Sequence, residues 1–408
     1  MRCCGARCLL LVALAVAGLA YIAYVPVPDD FDNPWEIRPI IWSTKLGPYL
    51  LWLGEKLGYG TELEQLRALF EKVGDMVPPD PNSTVKIFQV TKTKFNGVNV
   101  RVYDPNKSKG KRPALIYLHG GGWTMGSSAV YDSITRSIAE ELGMVVVSVD
   151  YRLAPEHKYP AGLEDSMAVT VYLLENSVKY NVDPNRVAVG GDSAGGNLAA
   201  AVALKLRDQN VTPVLKQQLL IYPALQAIDN QLPSAQQNSK LGIILKTELM
   251  VKFWLSYSLG VANADVNQLN LLLNNQHLSG QALRRGREFV HPSLLEEKYI
   301  PKDYKPCKNQ GLSKPPISAE FERVVMDPYF SPVMAETLQG VPEACLITAE
   351  YDILRDDGLL FKRRLEEAKV KVTHHHYKIF HGIFIEPHSH MKMFAQVHRD
   401  VLVCLKHV

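Results

Sequence analysis

The stretch RVAVGGDSAGGNLAAAVALKL (186–206) constrains the chain more than any other. An apolar run passes through two glycines into Asp192-Ser193-Ala194, and a helical segment of small residues begins at once. Gly191-Asp-Ser193-Ala-Gly195 fits the pattern G-x-S-x-G, which by itself arises often by chance. Its setting makes it specific. A serine on a sharp strand-to-helix elbow is exposed at the edge of a sheet, and glycines flank it because a Cβ does not fit so tight a turn.

The surrounding sequence supplies the sheet such an elbow needs. From about Ser83, the segments VKIFQV, VNVRVY, ALIYLH, MVVVSVDY, RVAVGGDS and KQQLLIYPAL read as strands, increasingly apolar along the chain. Helix-sized segments lie between them at Tyr131–Leu142, Leu163–Asn176 and Gly195–Gln209. Fully apolar strands alternating with helices predict an α/β fold whose mostly parallel sheet is buried on both faces. Residues 230–340 break the rhythm with helical pieces at Leu245–Leu259 and Asp265–Leu273 and a polar loop at Pro301–Pro316. The rhythm returns with strand EACLITAE, helix Leu354–Lys369, strand Val370–Tyr377 and a C-terminal helix from about Lys392. An insertion between late strands of a doubly wound sheet sits above the carboxyl edge, where ligands bind, so 230–340 is expected to form a helical cap. The α/β core would then comprise 83–229 and 341–408, preceded by a helical segment at 26–82 (Ile41–Leu57 and Thr61–Val73).

The N-terminus is of another kind. Cys8–Val25 is eighteen residues without a charge, which as a helix spans roughly 27 Å and so is long enough for a bilayer core. Arg2 and Arg7 precede it and Asp29, Asp30 and Asp32 follow. That asymmetry keeps residues 1–7 in the cytosol and translocates everything after the run. A signal peptide cut after Gly18 and Ala20 is the competing reading. The apolar run continues past that point to Val25, which favours an uncleaved signal anchor. A translocated body makes Asn82 and Asn106 candidate glycosylation sites, with Asn210 weaker because Pro213 follows its sequon. Cys3, Cys4 and Cys8 would face the cytosol, where unmodified thiols are favoured over S-acylation. Cys307, Cys345 and Cys404 would share an oxidising compartment, and three is odd, so at least one stays free or pairs outside the chain. The formal net charge of +3, with no long basic run, gives no case for nucleic acid.

Attack on an acyl carbon puts negative charge on its oxygen, which needs backbone N–H donors already in place. HGGGW (119–123), at the end of strand ALIYLH, is suited to this because successive glycines let the backbone itself approach. Gly121 and Gly122 are the expected donors, with Gly120 a further candidate and the N–H of Ala194 completing the hole. His119 precedes the loop and is read as a structural orienter, not a base. A serine needs a base and the base an orienting carboxylate, in the chain order Ser, acid, His. Strand CLITAEYD ends at Asp352, the expected acid. Asp356 and Asp357 fall one turn into the following helix, where they suit helix-terminal charge.

The base is sought in THHHYKIFHGIFIEPHSH (373–390), which holds six of the twelve histidines. His374, His375 and His376 belong to a strand and point alternately to opposite faces. His381 lies just beyond it, before a glycine that frees the backbone to turn, and is the expected base. A zinc site is not expected. There is no HExxH, the nearest cysteine in sequence is Cys404, and adjacent strand histidines cannot all reach one ion.

HGGGW, DYRLAPEHKYPAGLED (150–165), GDSAGGN, YDILRDDG and FHG together resemble the hormone-sensitive-lipase-like branch of the α/β-hydrolases. With the apolar N-terminus and the VPVPD–NPW segment after it, the chain is similar to the arylacetamide deacetylase and neutral cholesterol ester hydrolase group. The resemblance implies an α/β-hydrolase fold and a single-pass type II protein of the endoplasmic reticulum membrane with a lumenal catalytic domain. It also implies Ser193, Asp352 and His381 as a triad, and hydrolysis of carboxylic esters or arylamides with no cofactor and no metal. Members of the group typically carry a disulfide between a cysteine after HGGGW and one three residues before the triad acid. Thr124 and Ala349 stand there instead, so both halves of that bridge are absent together. Lys378 and Ile379 replace an acid and a glycine before the histidine, predicting a stiffer and more positive approach to His381. The reading is a membrane-anchored serine hydrolase of apolar esters. Sterol esters, acylglycerols, ether lipids and xenobiotic amides all fit. A non-catalytic ligand-binding protein on the same scaffold is the alternative.

Overall fold

The computed structural model describes residues 12–14, 16–18, 27–28, 31, 34–76, 89–105, 110–239, 241, 244–308, 317–382 and 392–408. Two helices come first, α1 (Pro34–Lys56) and α2 (Glu62–Met76). α1 starts one turn and more before the expected Ile41, because Ile37 and Ile41 are both fully buried and hold that turn to the core. Thr61 caps α2 reciprocally. Its hydroxyl accepts from Glu64 N (3.2 Å), while its own N–H donates to the Glu64 carboxylate (2.8 Å).

The body is an eight-stranded sheet in the order β1-β2-β4-β3-β5-β6-β7-β8. The strands are β1 (Gln89–Phe95), β2 (Val98–Asp104), β3 (Arg112–Leu118), β4 (Val145–Asp150), β5 (Val182–Asp192), β6 (Gln217–Ile221), β7 (Glu343–Tyr351) and β8 (Val372–Phe380). β2 runs antiparallel to β1 and β4, and all other neighbours are parallel. The reason for two buried faces is visible in β3. Ala114, Ile116 and Leu118 join one apolar core, while Leu115 and Tyr117 join the other. α4 (Ala161–Glu175), α5 (Ala194–Asp208) and α11 (Arg355–Glu367) cover the first face. α3 (Asp132–Leu142) and α12 (Lys392–Leu405) cover the second.

Two strands run further along the chain than their sequence segments suggest. The first strand, expected at VKIFQV, has its last two residues in β1, which continues to Phe95, while residues 85–88 lie outside the described ones. It closes on β2 through Asn96-Gly97, both with positive φ (46° and 87°), as a tight hairpin turn requires. That Asn-Gly pair was the signal available in the sequence. β8 runs to Phe380 instead of Tyr377, because Ile379 and Phe380 are fully buried and continue the strand. The approach to His381 is accordingly a strand and not a loop.

Between β6 and β7 lie α6 (Pro233–Asn238), α7 (Thr247–Leu259), α8 (Val266–Leu273), α9 (Gly280–Arg287) and α10 (Ala319–Val325). α6 and α10 are too short for hydrophobic periodicity to reveal them, and α9 (GQALRRGR) has only two apolar residues to carry it. Trp123 of HGGGW anchors this insertion: its ring stacks on Tyr257 of α7 at 4.6 Å and meets Trp254 at 4.7 Å. The α1–α2 pair is held down by Arg67. It donates to the carbonyls of Thr124 (2.6 Å) and Ala154 (2.8 Å) and to both carboxylate oxygens of Glu156.

Cys345 of β7 and Cys404 of α12 form a disulfide, and Cys307 is free, which resolves the odd count. Among the described residues no helix is long and apolar enough to cross a membrane. Most of Cys8–Val25 lies outside them, as do Asn82, Asn106, His388 and His390.

Candidate active site

The elbow forms as the glycines require. Ser193 has φ 54° and ψ −119°, a region costly for a side chain and stored of order 1–3 kcal/mol only where the surroundings enforce it. They do so here. Ser193 N donates to the Ile221 carbonyl of the neighbouring strand at 2.9 Å, and its own carbonyl accepts from Asn197 N at 3.0 Å. A Cβ on Gly195 would lie 1.9 Å from the Leu118 carbonyl, and one on Gly191 would lie 2.2 Å from the same oxygen. The backbone crosses β3 too closely for any other residue.

β5, β7 and β8 end at the same edge of the sheet, with β6 between the first two, and their carboxyl ends bring three distant residues together. His381 Nε2 lies 3.0 Å from Ser193 Oγ, and His381 Nδ1 lies 2.8 Å from Asp352 Oδ2. All three are buried. A carboxylate can only accept, so it fixes the proton on Nδ1 and leaves Nε2 as acceptor for the serine hydroxyl. The acid is itself held. Its Oδ1 accepts from Leu354 N at 2.9 Å, and Asn238 Nδ2 donates to the carbonyls of Glu350 and Asp352 at 2.9 Å each. The Tyr222 ring packs on the imidazole at 4.6 Å.

Gly120 is corrected as an oxyanion donor. Its N–H donates to Asp192 Oδ1 at 3.0 Å and is not available to a substrate. Gly121 and Gly122 have φ of 113° and 60°, and their N–H groups meet no backbone acceptor among the described residues. Ala194 heads α5, where first-turn N–H groups lack intrahelical partners. His119 is a structural residue here: Nδ1 lies 2.8 Å from the Gly120 carbonyl, and the ring stacks on Tyr151 at 4.3 Å. Burial holds its pKa below the usual imidazole range.

Asp192 was not singled out in the sequence, although it stands inside the motif. It is buried and accepts from the hydroxyls of Tyr117 and Tyr131 (2.9 Å each) and from Gly120 N. Burial raises its carboxyl above the usual range, and those three donors oppose the rise. It fastens the glycine loop to the elbow. Tyr222 and Asn238 were also missed, and neither carries a local sequence signal.

The histidine triplet divides between faces as strand geometry dictates. His374 Nε2 and His376 Nδ1 both lie 2.8 Å from the Thr348 hydroxyl, and His376 Nε2 lies 2.8 Å from Glu350. Burial holds His374 down to about 4. His375 faces the other way, toward Cys345 and Cys404. Those three offer ligand atoms within 4.8 Å of one another, but the two sulfurs are bonded together.

Asp356 and Asp357 are in the first turn of α11, as expected, yet their role is not exposed helix charge. Both are fully buried. Asp356 accepts from Ser234 N at 2.6 Å and from Arg355 Nε at 3.0 Å. Asp357 accepts from Leu225 N at 3.0 Å and Gln226 Nε2 at 2.9 Å. They clamp the start of the insertion to α11. Burial pushes Asp357 up to about 8, with the charges of Asp356 and Asp352 adding to the rise. An unfolded aspartate titrates near ~4. Folding therefore takes up a proton between ~4 and about 8. The stability tied to this group is fully present below the unfolded value and is lost as pH rises through the folded one. Melting temperatures taken at pH 5, 6, 7 and 8 should fall across the series. Asp357→Asn should flatten that slope, whatever it does to stability at a single pH. Parallel slopes would contradict the assignment.

A serine hydrogen-bonded to an imidazole that a carboxylate orients, beside a glycine loop and at the carboxyl edge of a doubly wound sheet, is the arrangement of serine hydrolases built on an α/β sheet. The chain belongs to the alpha/beta hydrolase fold family, which it matches over residues 115–284 and 316–385, within the group that includes arylacetamide deacetylases and neutral cholesterol ester hydrolases. It is 39% identical to mouse (Mus musculus) arylacetamide deacetylase over 391 residues, covering 92% of this chain and 93% of that one. It is 37% identical to neutral cholesterol ester hydrolase 1 of Bos taurus over 389 residues, covering 93% of each. Among solved structures, an esterase of Pyrobaculum calidifontis superposes with a TM-score of 0.64 at 30% identity, covering 84% of this chain and 92% of that one. The chain is an enzyme, a hydrolase of carboxylic esters.

Proposed function

We propose that the chain is a membrane-anchored serine hydrolase that cleaves apolar carboxylic esters, and arylamides with them, through an acyl-enzyme. The observation that carries this reading is the hydrogen-bonded line Ser193–His381–Asp352. Ser193 Oγ attacks the acyl carbon while its proton passes to His381 Nε2, and Asp352 stabilises the imidazolium that forms. The N–H groups of Gly121, Gly122 and Ala194 receive the oxyanion. His381 then returns the proton to the leaving alcohol or amine, and a water repeats the sequence on the acyl-enzyme.

An apolar substrate is favoured by what overhangs the site. A Cβ on Gly122 would lie 2.5 Å from the ring of Phe253 on α7, and one on Gly382 would lie 3.3 Å from Ile244. The insertion thus brings hydrocarbon to both the donor loop and the base. Two relatives, an arylacetamide deacetylase and a neutral cholesterol ester hydrolase, point by name to the same range of acyl compounds. The uncharged run Cys8–Val25 with its flanking charges supports a single-pass type II anchor in the endoplasmic reticulum membrane and a lumenal body.

The test is labelling of membranes from cells expressing the chain with a fluorophosphonate, followed by turnover of esters graded in acyl length and head group. A labelled band that stays with the membrane after alkaline carbonate, is protected from added protease, and hydrolyses long-chain esters is the expected result. Labelling with no turnover of any ester or arylamide would sink the reading.

A further inference from the structure

α1 carries apolar residues on two opposite faces. Ile37 and Ile41 point inward and are fully buried. Trp35, Leu46, Tyr49, Leu50 and Leu53, with Leu57 just past the helix end, point outward, and between 40% and 73% of each is exposed. At ~100° per residue these six project within an arc of roughly 100°. No charged residue of the helix falls inside that arc. Arg38, Lys45 and Lys56 lie together along one border of it, and Arg38 stacks over Trp35 at 3.9 Å. A single exposed leucine means nothing, but an outward stripe of this length, interrupted at Trp42, which packs back on the second core, marks a surface that meets an apolar partner.

We propose that this outer face of α1 docks flat on a phospholipid bilayer, an inference that rests on the membrane-anchored reading above. Three observations select the bilayer as occupant. The uncharged run ends at Val25, and only residues 26–33 separate it from Pro34. Eight residues span at most ~28 Å even fully extended, so an anchored chain cannot carry α1 far from the surface. Tryptophan and tyrosine among leucines are the side chains that settle at the headgroup level. The basic border is placed to meet phosphates while the stripe enters the acyl boundary.

Docking there has a consequence for the site, because the inner side of the α1–α2 pair is fixed to the site's walls. Arg67 of α2 holds the carbonyl of Thr124, two residues after Gly122. Ile37 and Ile41 share an apolar core with Ile379 and Phe380, the residues before His381. The helix pair therefore lays the catalytic edge of the sheet against the source of an apolar substrate.

The experiment uses the full chain reconstituted in phosphatidylcholine–phosphatidylserine vesicles, wild type beside Tyr49→Ser/Leu50→Ser/Leu53→Ser. Brominated phosphatidylcholine should quench tryptophan emission of the wild type, and the triple variant should lose most of that quenching. Turnover of a long-chain diacylglycerol in the same bilayer should fall at least tenfold in the variant. Turnover of soluble p-nitrophenyl acetate should stay within twofold, which also reports that the variant folds. Equal quenching and an equal ratio of the two rates would overturn the proposal. So would a detergent-solubilised dimer that the variant abolishes, because the stripe would then belong to a second copy. Release of the wild type by alkaline carbonate would refute the anchor separately. In that case persistent quenching would still uphold docking, and its loss would end both.

Discussion

Ser193→Ala is expected to lower ester turnover by at least about 10,000-fold and to abolish fluorophosphonate labelling while the protein stays folded. The magnitude follows from what the residue supplies. Loss of the nucleophile removes the acyl-enzyme route altogether, and what survives is the ~1,000- to 10,000-fold advantage over water that donor groups and binding alone provide. Alanine keeps the backbone contacts of the elbow, since Ser193 N and its carbonyl make them and not the hydroxyl. The thermal midpoint should therefore change little. Hydrolysis within tenfold of wild type by the purified variant would place the reacting group elsewhere.

Asp352→Asn is expected to cost about 10,000-fold in kcat with the geometry intact. The argument concerns one proton. Asp352 Oδ2 accepts from His381 Nδ1, so the imidazole presents an unprotonated Nε2 to Ser193 at 3.0 Å. An asparagine amide turned toward Nδ1 donates instead. The imidazole must then carry its proton on Nε2, where it cannot accept from the serine. Stopped-flow measurement of acyl-enzyme formation locates the defect. The burst rate should collapse, and labelling by the fluorophosphonate should slow in the same proportion. Near-normal acylation in this variant would mean that another carboxylate orients His381.

The geometry of the candidate site was legible in the sequence because local motifs hold it. The elbow, the glycine loop and the lone histidine before Gly382 each announce themselves within a few residues, since each is a backbone demand as much as a side-chain one. What the sequence did not carry is the support. Asp192 holds Gly120 across seventy-two residues of chain, and Asn238 reaches the Asp352 carbonyl across 114. Such contacts exist only once the sheet has brought β3, β5 and β7 into line. The same gap explains Gly120, which looked like a donor in HGGG because its prior engagement by Asp192 is invisible in the motif. Asp356 and Asp357 were legible as helix-start residues but not as buried clamps, because burial there is decided by Leu225, Gln226 and Ser234 from beyond β6.

Asp192 also bears on how chains of this kind diversify. One carboxylate, gripped by two tyrosines and the first backbone amide of the glycine loop, sits next in sequence to the nucleophile. The elbow and the glycine loop are thereby one rigid piece, riveted beneath the surface. The roof above is assembled from separate material, the insertion that carries α6–α10. Mutations in the roof can change which molecules are admitted without disturbing the alignment of the reacting atoms, so selection for new substrates has somewhere inexpensive to act.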